Sequence, residues 1–234
     1  MIGLVKLLLN ILNGSLNFAD VIVYILSSLF VVFGTMPVHE FAHALAADKL
    51  GDPTPRYNGR LTLNPLAHID YLGAMLILVA GFGFAKPVPV NQSYFKHPKR
   101  DMAIVGLAGP LANVIVATIL MLLCNALIAL GIVYNGTVIY YIYLFLYYAA
   151  YINISLAAFN LIPIPPLDGS RILFAVLPDK YYYLAQQYER YIYFGVLLLA
   201  FTGALSVPMS YISDWIYYGI DFITSLPFKA FGLL

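Results

Sequence analysis

The chain has 234 residues, of which 62% are hydrophobic and only 10% charged, and its mean hydropathy is +0.85. These values lie outside the range of ordinary soluble domains and leave too little polar sequence for a sizeable soluble domain, a nucleic-acid-binding surface or a long regulatory tail. The formal net charge of +1 selects no class of partner, and the single cysteine, Cys124, excludes an intramolecular disulfide and reads as a small packing residue.

Met1 to Asn13 is apolar around Lys6 and lacks the small-residue cleavage pattern of a signal peptide, so it reads as a retained, short or interfacial helix. No charge interrupts Val21 to Val38, and the helical pattern continues through Ala47 until Asp48, Lys49 and the Gly51-Asp52-Pro53 breaker end it. This is the first predicted span. Pro53 to Pro65 (PTPRYNGRLTLNP) is rich in Pro, Gly and Asn, with Tyr57, Leu61 and Leu63 in rough alternation, and predicts an extended hairpin. Tyr71 to Ala85 carries no charge. As helix it would be only about 22 Å long, against a bilayer core about 30 Å thick.

An extended Lys86-Pro-Val-Pro-Val segment and a polar 91–101 loop come next. The 66 residues from Met102 through Leu167 contain no Asp, Glu, Lys, Arg or His, enough for two crossings. Helices are expected over about 102–130 and 138–161, joined by a tight turn at 131–137. Pro163, Pro165 and Pro166 then break the NLIPIPPLDG segment from Asn160 to Gly169. The uncharged 191–213 run is expected to form another span, interrupted at Pro208, and Tyr211 to Phe228 a last one.

Basic residues collect on the cytoplasmic side of a membrane. If the 71–85 stretch dips in and returns, Lys49, Arg56, Arg60, Lys86, Lys96, Lys99, Arg100, Arg171, Lys180, Arg190 and Lys229 all fall on one face, and the 131–137 and 203–212 loops opposite hold none. If it crosses, the basic residues split. Charge therefore favours a re-entrant 71–85.

The first span contains His39-Glu40-Phe41-Ala42-His43, an H-E-x-x-H pattern. Histidines at i and i+4 project from one face of a helix, so both imidazoles can bind one tetrahedral Zn2+, with Glu40 beside them as general base. A His, Glu, His cluster in an apolar helix is costly unless it is used. A catalytic zinc site takes a third protein ligand. The candidates are His68, Asp70, His97, Asp101 and Asp168. Asp168 follows a long charge-free stretch within a Pro-broken segment, and irregular backbone at membrane depth normally lines a cavity. The alternative on chain-local grounds, less favoured, is a helix N-cap before Arg171-Ile172-Leu173. Topology decides: with 71–85 re-entrant, one helix leaves, the next returns, and Asp168 arrives at the depth of His39 and His43.

The sequence resembles the site-2 protease family of intramembrane zinc metalloproteases over most of its length. His39 to His43 matches the family's H-E-x-x-H, and Asn160 to Gly169 matches its Asn-x-x-Pro-x-x-x-x-Asp-Gly element. The aspartate of that element is the family's third zinc ligand, so the resemblance gives this role to Asp168. Gly106-Leu-Ala-Gly109-Pro110-Leu-Ala-Asn113 is similar to the family's glycine-rich motif, while Arg60 to Pro65 and Gly83 to Asn91 look like the compact prokaryotic branch, without a PDZ or nucleotide-sensing domain. Gly106, Gly109 and Asn113 fall at i, i+3 and i+7, a nearly side-chain-free face suited to close packing on the zinc helix. Asn113 and Asn160 are also candidate contacts to substrate backbone or the oxyanion. His68 reads as structural or interfacial, His97 as a solvated loop residue, and the tyrosine-rich 140–151 and 181–193 runs as interface and packing residues.

The expectation is an all-α polytopic membrane protein with about five to six hydrophobic segments around a three-helix catalytic core and a re-entrant extended hairpin. It forms one domain over 1–234, with a catalytic core at about 18–178 and C-terminal helices at about 187–228. The expected activity is intramembrane zinc endopeptidase in a multi-pass cell-membrane protein, with the active site toward the cytoplasm. The family implies a single-span membrane protein substrate, pre-trimmed by another protease; the lipid bilayer is the other partner, and no nucleic acid is expected. The rival readings are a metal or ion transporter using the same His, Glu and Asp cluster, and a catalytically silent binding scaffold.

Overall fold

The computed structural model describes Leu4, residues 17–80 and residues 83–233, with backbone alone at 179, 182, 183, 186, 189, 200 and 201. The expected helix over 1–13 lies outside the described residues apart from Leu4. Asn17 opens the first long helix. Its side chain accepts from the Asp20 N–H at 3.0 Å, and the Asp20 carboxylate accepts from the Asn17 N–H at 3.1 Å, a reciprocal capping box.

This helix, α1, runs Phe18–Lys49. It contains one π-helical turn at Val31–Thr35, immediately before Pro37. Proline lacks the N–H that a regular helix needs and its ring crowds the preceding turn, so a widened turn there is a local accommodation. The extra residue also rotates the downstream half of the helix by about 100°. Upstream, the buried residues come in pairs at 20–21, 23–24, 27–28 and 31–32; downstream they fall at 39–40 and 43–44. An unbroken α-helix would carry the buried pairs on to 38–39 and 42–43, with Glu40 off the stripe. The π turn moves the stripe on by one residue, so Glu40 is brought inside beside His39, and Val38 and Ala42 are left at its edge.

The 53–65 segment is not the extended hairpin that its composition predicts. It holds a single helical turn, α2 (Thr54–Tyr57), a left-handed Gly59 at φ +65°, and a 3-10 turn at Pro65–Ala67. Asp52 explains the difference: its carboxylate accepts from the Thr54 N–H at 2.9 Å, and with Pro53 and Pro55 it nucleates a helical turn. Asn64 caps the second turn through the Leu66 N–H at 3.1 Å.

Asp70 then accepts from the Gly73 N–H at 2.9 Å and starts α3 (Tyr71–Ala80). The chain returns to where it left. The Lys86 N–H donates to the His68 carbonyl at 2.9 Å, and Phe84 lies so close to α3 that a Cβ on Gly73 would sit 1.7 Å from its carbonyl oxygen. The two ends of this apolar excursion are therefore adjacent, the geometry of a re-entrant segment. The returning arm, Gly83 to Asn91, has no regular secondary structure, and no strand ladder forms among the described residues.

Helix α4 (Pro98–Ala129) begins four residues before the expected start, because Pro98 occupies its first turn and Asp101 accepts from the His97 N–H at 3.0 Å. Helix α5 (Val138–Asn160) is capped by Thr137, whose hydroxyl accepts from the Tyr140 N–H at 3.2 Å. Helices α6 (Asp168–Val176), α7 (Asp179–Phe201) and α8 (Ser206–Ala230) complete the chain. The expected 191–213 span is divided: Gly203, at φ +77°, ends α7, and Pro208 sits in the first turn of α8, where its missing N–H costs nothing.

Among the described residues, Phe18–Lys49, Pro98–Ala129 and Val138–Asn160 are long and apolar enough to cross a membrane. The fold is all-α and polytopic. Helix α4 is its centre, packing against α5, the second half of α1, α6 and α8. Small residues on α5, including Ala149, Ala150, Ala157 and Ala158, are fully buried and let helices approach closely without a hydrophobic drive from water.

Because residues 68 and 86 meet, cysteines placed at Tyr57 and at Lys96, both exposed, should react with an impermeant thiol reagent from the same side of the membrane in a Cys124→Ser background. Labelling from opposite sides would contradict the re-entrant path.

Candidate metal centre

One helical turn of α1 separates His39 from His43, and the loop after α5 delivers Asp168 to the start of α6. All three are buried. The two Nε2 atoms are 3.0 Å apart, and Asp168 Oδ2 lies 3.1 Å from His43 Nε2 and 3.4 Å from His39 Nε2. Metal–ligand bonds of 2.0–2.2 Å in a tetrahedron put ligand atoms about 3.3 Å apart. The three donors thus already have the spacing of three corners around one ion, and they are a set of the kind that can hold a metal. The ring of His43 is oriented from behind: its Nδ1 is 2.7 Å from the Val105 carbonyl oxygen, an acceptor that keeps the proton on Nδ1 and leaves Nε2 free to ligate.

Two glycines on α4 make this convergence possible. A Cβ on Gly109 would lie 2.2 Å from His43 Nε2 and 2.6 Å from His39 Nε2. A Cβ on Gly106 would lie 2.9 Å from both the Asp168 carbonyl oxygen and the Arg171 Cβ. The glycine-rich face expected from the sequence therefore seats the histidines at one position and α6 at the other.

The donors open onto a cavity of about 260 Å³ whose lining includes Glu40, Asn113, Asn160, Val88 and Tyr193. Glu40 is 6% exposed and stands apart from the three converging donors. Asn113 is 1% exposed, and neither its amide nitrogen nor its carbonyl oxygen has a hydrogen-bond partner among the described residues. Asn160 instead donates to the Leu156 carbonyl at 3.0 Å.

The other candidate third ligands are engaged elsewhere. His68 is fully buried with Nε2 2.8 Å from the Thr62 carbonyl oxygen, and burial lowers its pKa, so it is a neutral structural residue, as the sequence suggests. Asp70 caps α3 and Asp101 caps α4. His97 precedes α4 on the exposed surface.

Arg60 has a role that the sequence does not reveal. The residue is 6% exposed, and its guanidinium donates to the Pro87 carbonyl at 2.7 Å and also to the Lys86 carbonyl. Burial lowers its pKa, while the charge of Glu40 opposes that shift. At the far end of the same arm, Asp52 accepts from the Asn91 N–H at 2.7 Å. The returning arm is thus clamped at both ends beside the cavity. An arginine in an Asn-Gly-Arg turn carries no local mark of such a task.

Two helical histidines, an aspartate from a second helix and a glutamate beside them, within a polytopic α-helical fold, define the centre of a zinc metalloprotease. Residues 128–202 match Peptidase family M50. YwhC of Bacillus subtilis (strain 168), which carries a zinc metalloprotease name, is 40% identical over 179 residues, covering 76% of this chain and 80% of that protein. Rip2 of Mycolicibacterium smegmatis, likewise named among zinc metalloproteases, is 28% identical over 192 residues, or 79% of this chain and 69% of its own. Zinc metalloprotease MJ0392 of Methanocaldococcus jannaschii is 29% identical over 176 residues, 75% of this chain and 40% of that longer protein. No solved structure matches the chain. The chain belongs to peptidase family M50, the site-2 protease family of zinc metalloproteases. Zinc is its cofactor, and the donor spacing fits that ion.

Gly109→Ala should abolish stoichiometric zinc binding, measured by elemental analysis of the purified protein, while helix content by circular dichroism stays at the wild-type value. Full zinc occupancy in that variant would show that the histidines do not depend on the close approach of α4.

Proposed function

We propose that the protein is an intramembrane endopeptidase that hydrolyses a peptide bond in or beside the transmembrane segment of a membrane protein. The observation that carries this reading is the position of the three donors and Glu40: one cavity, walled by the three helices that, among the described residues, are long and apolar enough to span a bilayer, and bordered by a clamped arm. Bound through His39, His43 and Asp168, zinc would supply a Lewis acid that polarises the scissile carbonyl and makes water a nucleophile near neutral pH. Glu40 takes the proton of the attacking water and returns it to the leaving amine. Asn113, buried with an unpartnered amide, donates to the substrate backbone or to the oxyanion as charge develops; Asn160 lines the same cavity.

A helical substrate hides its carbonyls, so it must be drawn out before attack. The arm supports this step. Pro87 and Pro89 have no N–H, whereas Val88 and Val90 share one edge, and no hydrogen bond engages their backbone groups among the described residues. With Arg60 and Asp52 holding its ends, that edge can pair with an extended peptide facing the cavity. The basic residues gathered by the re-entrant path support an active site that faces the cytoplasm. The preferred substrate is a single-span membrane protein, pre-trimmed by another protease, cut as a step of regulated proteolysis. The transporter reading is weaker because the ionisable groups meet at one centre rather than along a path.

Glu40→Gln should keep full zinc content and lose cleavage of a helix-destabilised membrane peptide by about 10²–10⁴-fold; wild-type turnover would remove Glu40 as the base. Val88→Pro deletes one edge donor at a net cost of about 1 kcal/mol, and so should raise KM roughly fivefold with zinc content unchanged. An unchanged KM would place substrate elsewhere.

A further inference from the structure

Asp168 uses one carboxylate oxygen toward the histidines. Oδ2 is the atom 3.1 and 3.4 Å from the two Nε2 nitrogens, while Oδ1 faces Arg171, whose Nη1 is 4.0 Å away at i+3 on α6. That Nη1 is buried and has no hydrogen-bond partner among the described residues. An unpaired guanidinium nitrogen is costly in such surroundings unless a nearby anion compensates it. The side chain is not free to leave. Its Cβ and Cδ would be 2.9 and 3.2 Å from a Cβ on Gly106, so the arginine stem occupies the space which that glycine leaves on α4. Arg171 also lines the cavity that holds Glu40.

The structure assigns Arg171 as a positioning residue: we infer that its guanidinium holds Oδ1 of Asp168, so that the carboxylate offers zinc Oδ2 alone. This rests on the reading of Asp168 as a zinc ligand. A carboxylate free to rotate can present either oxygen, or both. Anchoring one of them fixes a single-oxygen ligand and keeps a position open at the metal for chemistry. The contact is charge to charge at 4.0 Å, without hydrogen-bond geometry, so a lysine can supply most of it.

The test measures zinc affinity of the full chain in detergent, by competition with a chromophoric chelator, for wild type, Arg171→Met, Arg171→Lys, Asp168→Ala and the Arg171→Met/Asp168→Ala double variant. Arg171→Met is expected to weaken zinc binding by about 10–100-fold, Arg171→Lys by no more than about threefold, and Arg171→Met to add nothing once Asp168 is alanine. If Asp168→Ala loses zinc but Arg171→Met binds it at wild-type strength, the positioning role is overturned and the ligand assignment stands. If Asp168→Ala binds zinc normally, the ligand reading fails and the inference falls with it. A loss in Arg171→Met that persists undiminished in the double variant, or an equal loss in Arg171→Lys, would also overturn it, because the effect would then be general to the fold.

Discussion

Two stretches of chain, 125 residues apart, must bring three electron-pair donors to the corners of one small tetrahedron inside an apolar bundle. That demand governs the architecture. Buried imidazoles and a carboxylate are each unfavourable alone and become tolerable only in company. Helix α4 lies between the two stretches, and its missing side chains at Gly106 and Gly109 set how closely they approach. The centre is therefore as much a property of a helix that contributes no ligand as of the residues that do.

How much of the structure is legible in the sequence depends on whether the signal is local. Helix α5 is legible to within a residue from an uninterrupted apolar run with Thr137 before it and prolines after it. The histidine pair is legible because spacing along a helix is itself geometry. Asp168 is different: nearby sequence also suits a cap, and only the count of crossings brings it to the histidines' depth. The hairpin expected over 53–65 fails because apolar alternation there competes with Asp52 and two prolines, and a short capped turn wins. The break in the 191–213 run is expected at a proline, whereas a left-handed glycine has already stopped the helix. Arg60 is readable as a charge for orientation but not as a contact, since its partner is a backbone 26 residues away; the i,i+3 spacing of Asp168 and Arg171 is local, and only the packing that brings Asp168 to the histidines gives it meaning.

Away from the centre, the bundle is fastened by sparse polar contacts among small residues. Ser27 on α1 donates to the Phe145 carbonyl of α5 at 3.0 Å, and Asn125 on α4 donates to Thr224 on α8 at 2.9 Å. Such pairs contribute modestly in a membrane, where packing of small side chains carries much of the association. They also give direction, because each fixes one rotation of a helix about its axis.

The π turn at Val31–Thr35 stores information of the same angular kind. The same chain wound as an unbroken α-helix would be equally apolar and would present Val38 and Ala42 where His39 and His43 now point. Neither total helicity nor hydropathy would register the change. A relative with one residue fewer in that stretch needs no such turn: a regular α-helix already leaves its histidine pair facing the centre, so the wide turn and the extra residue compensate for each other.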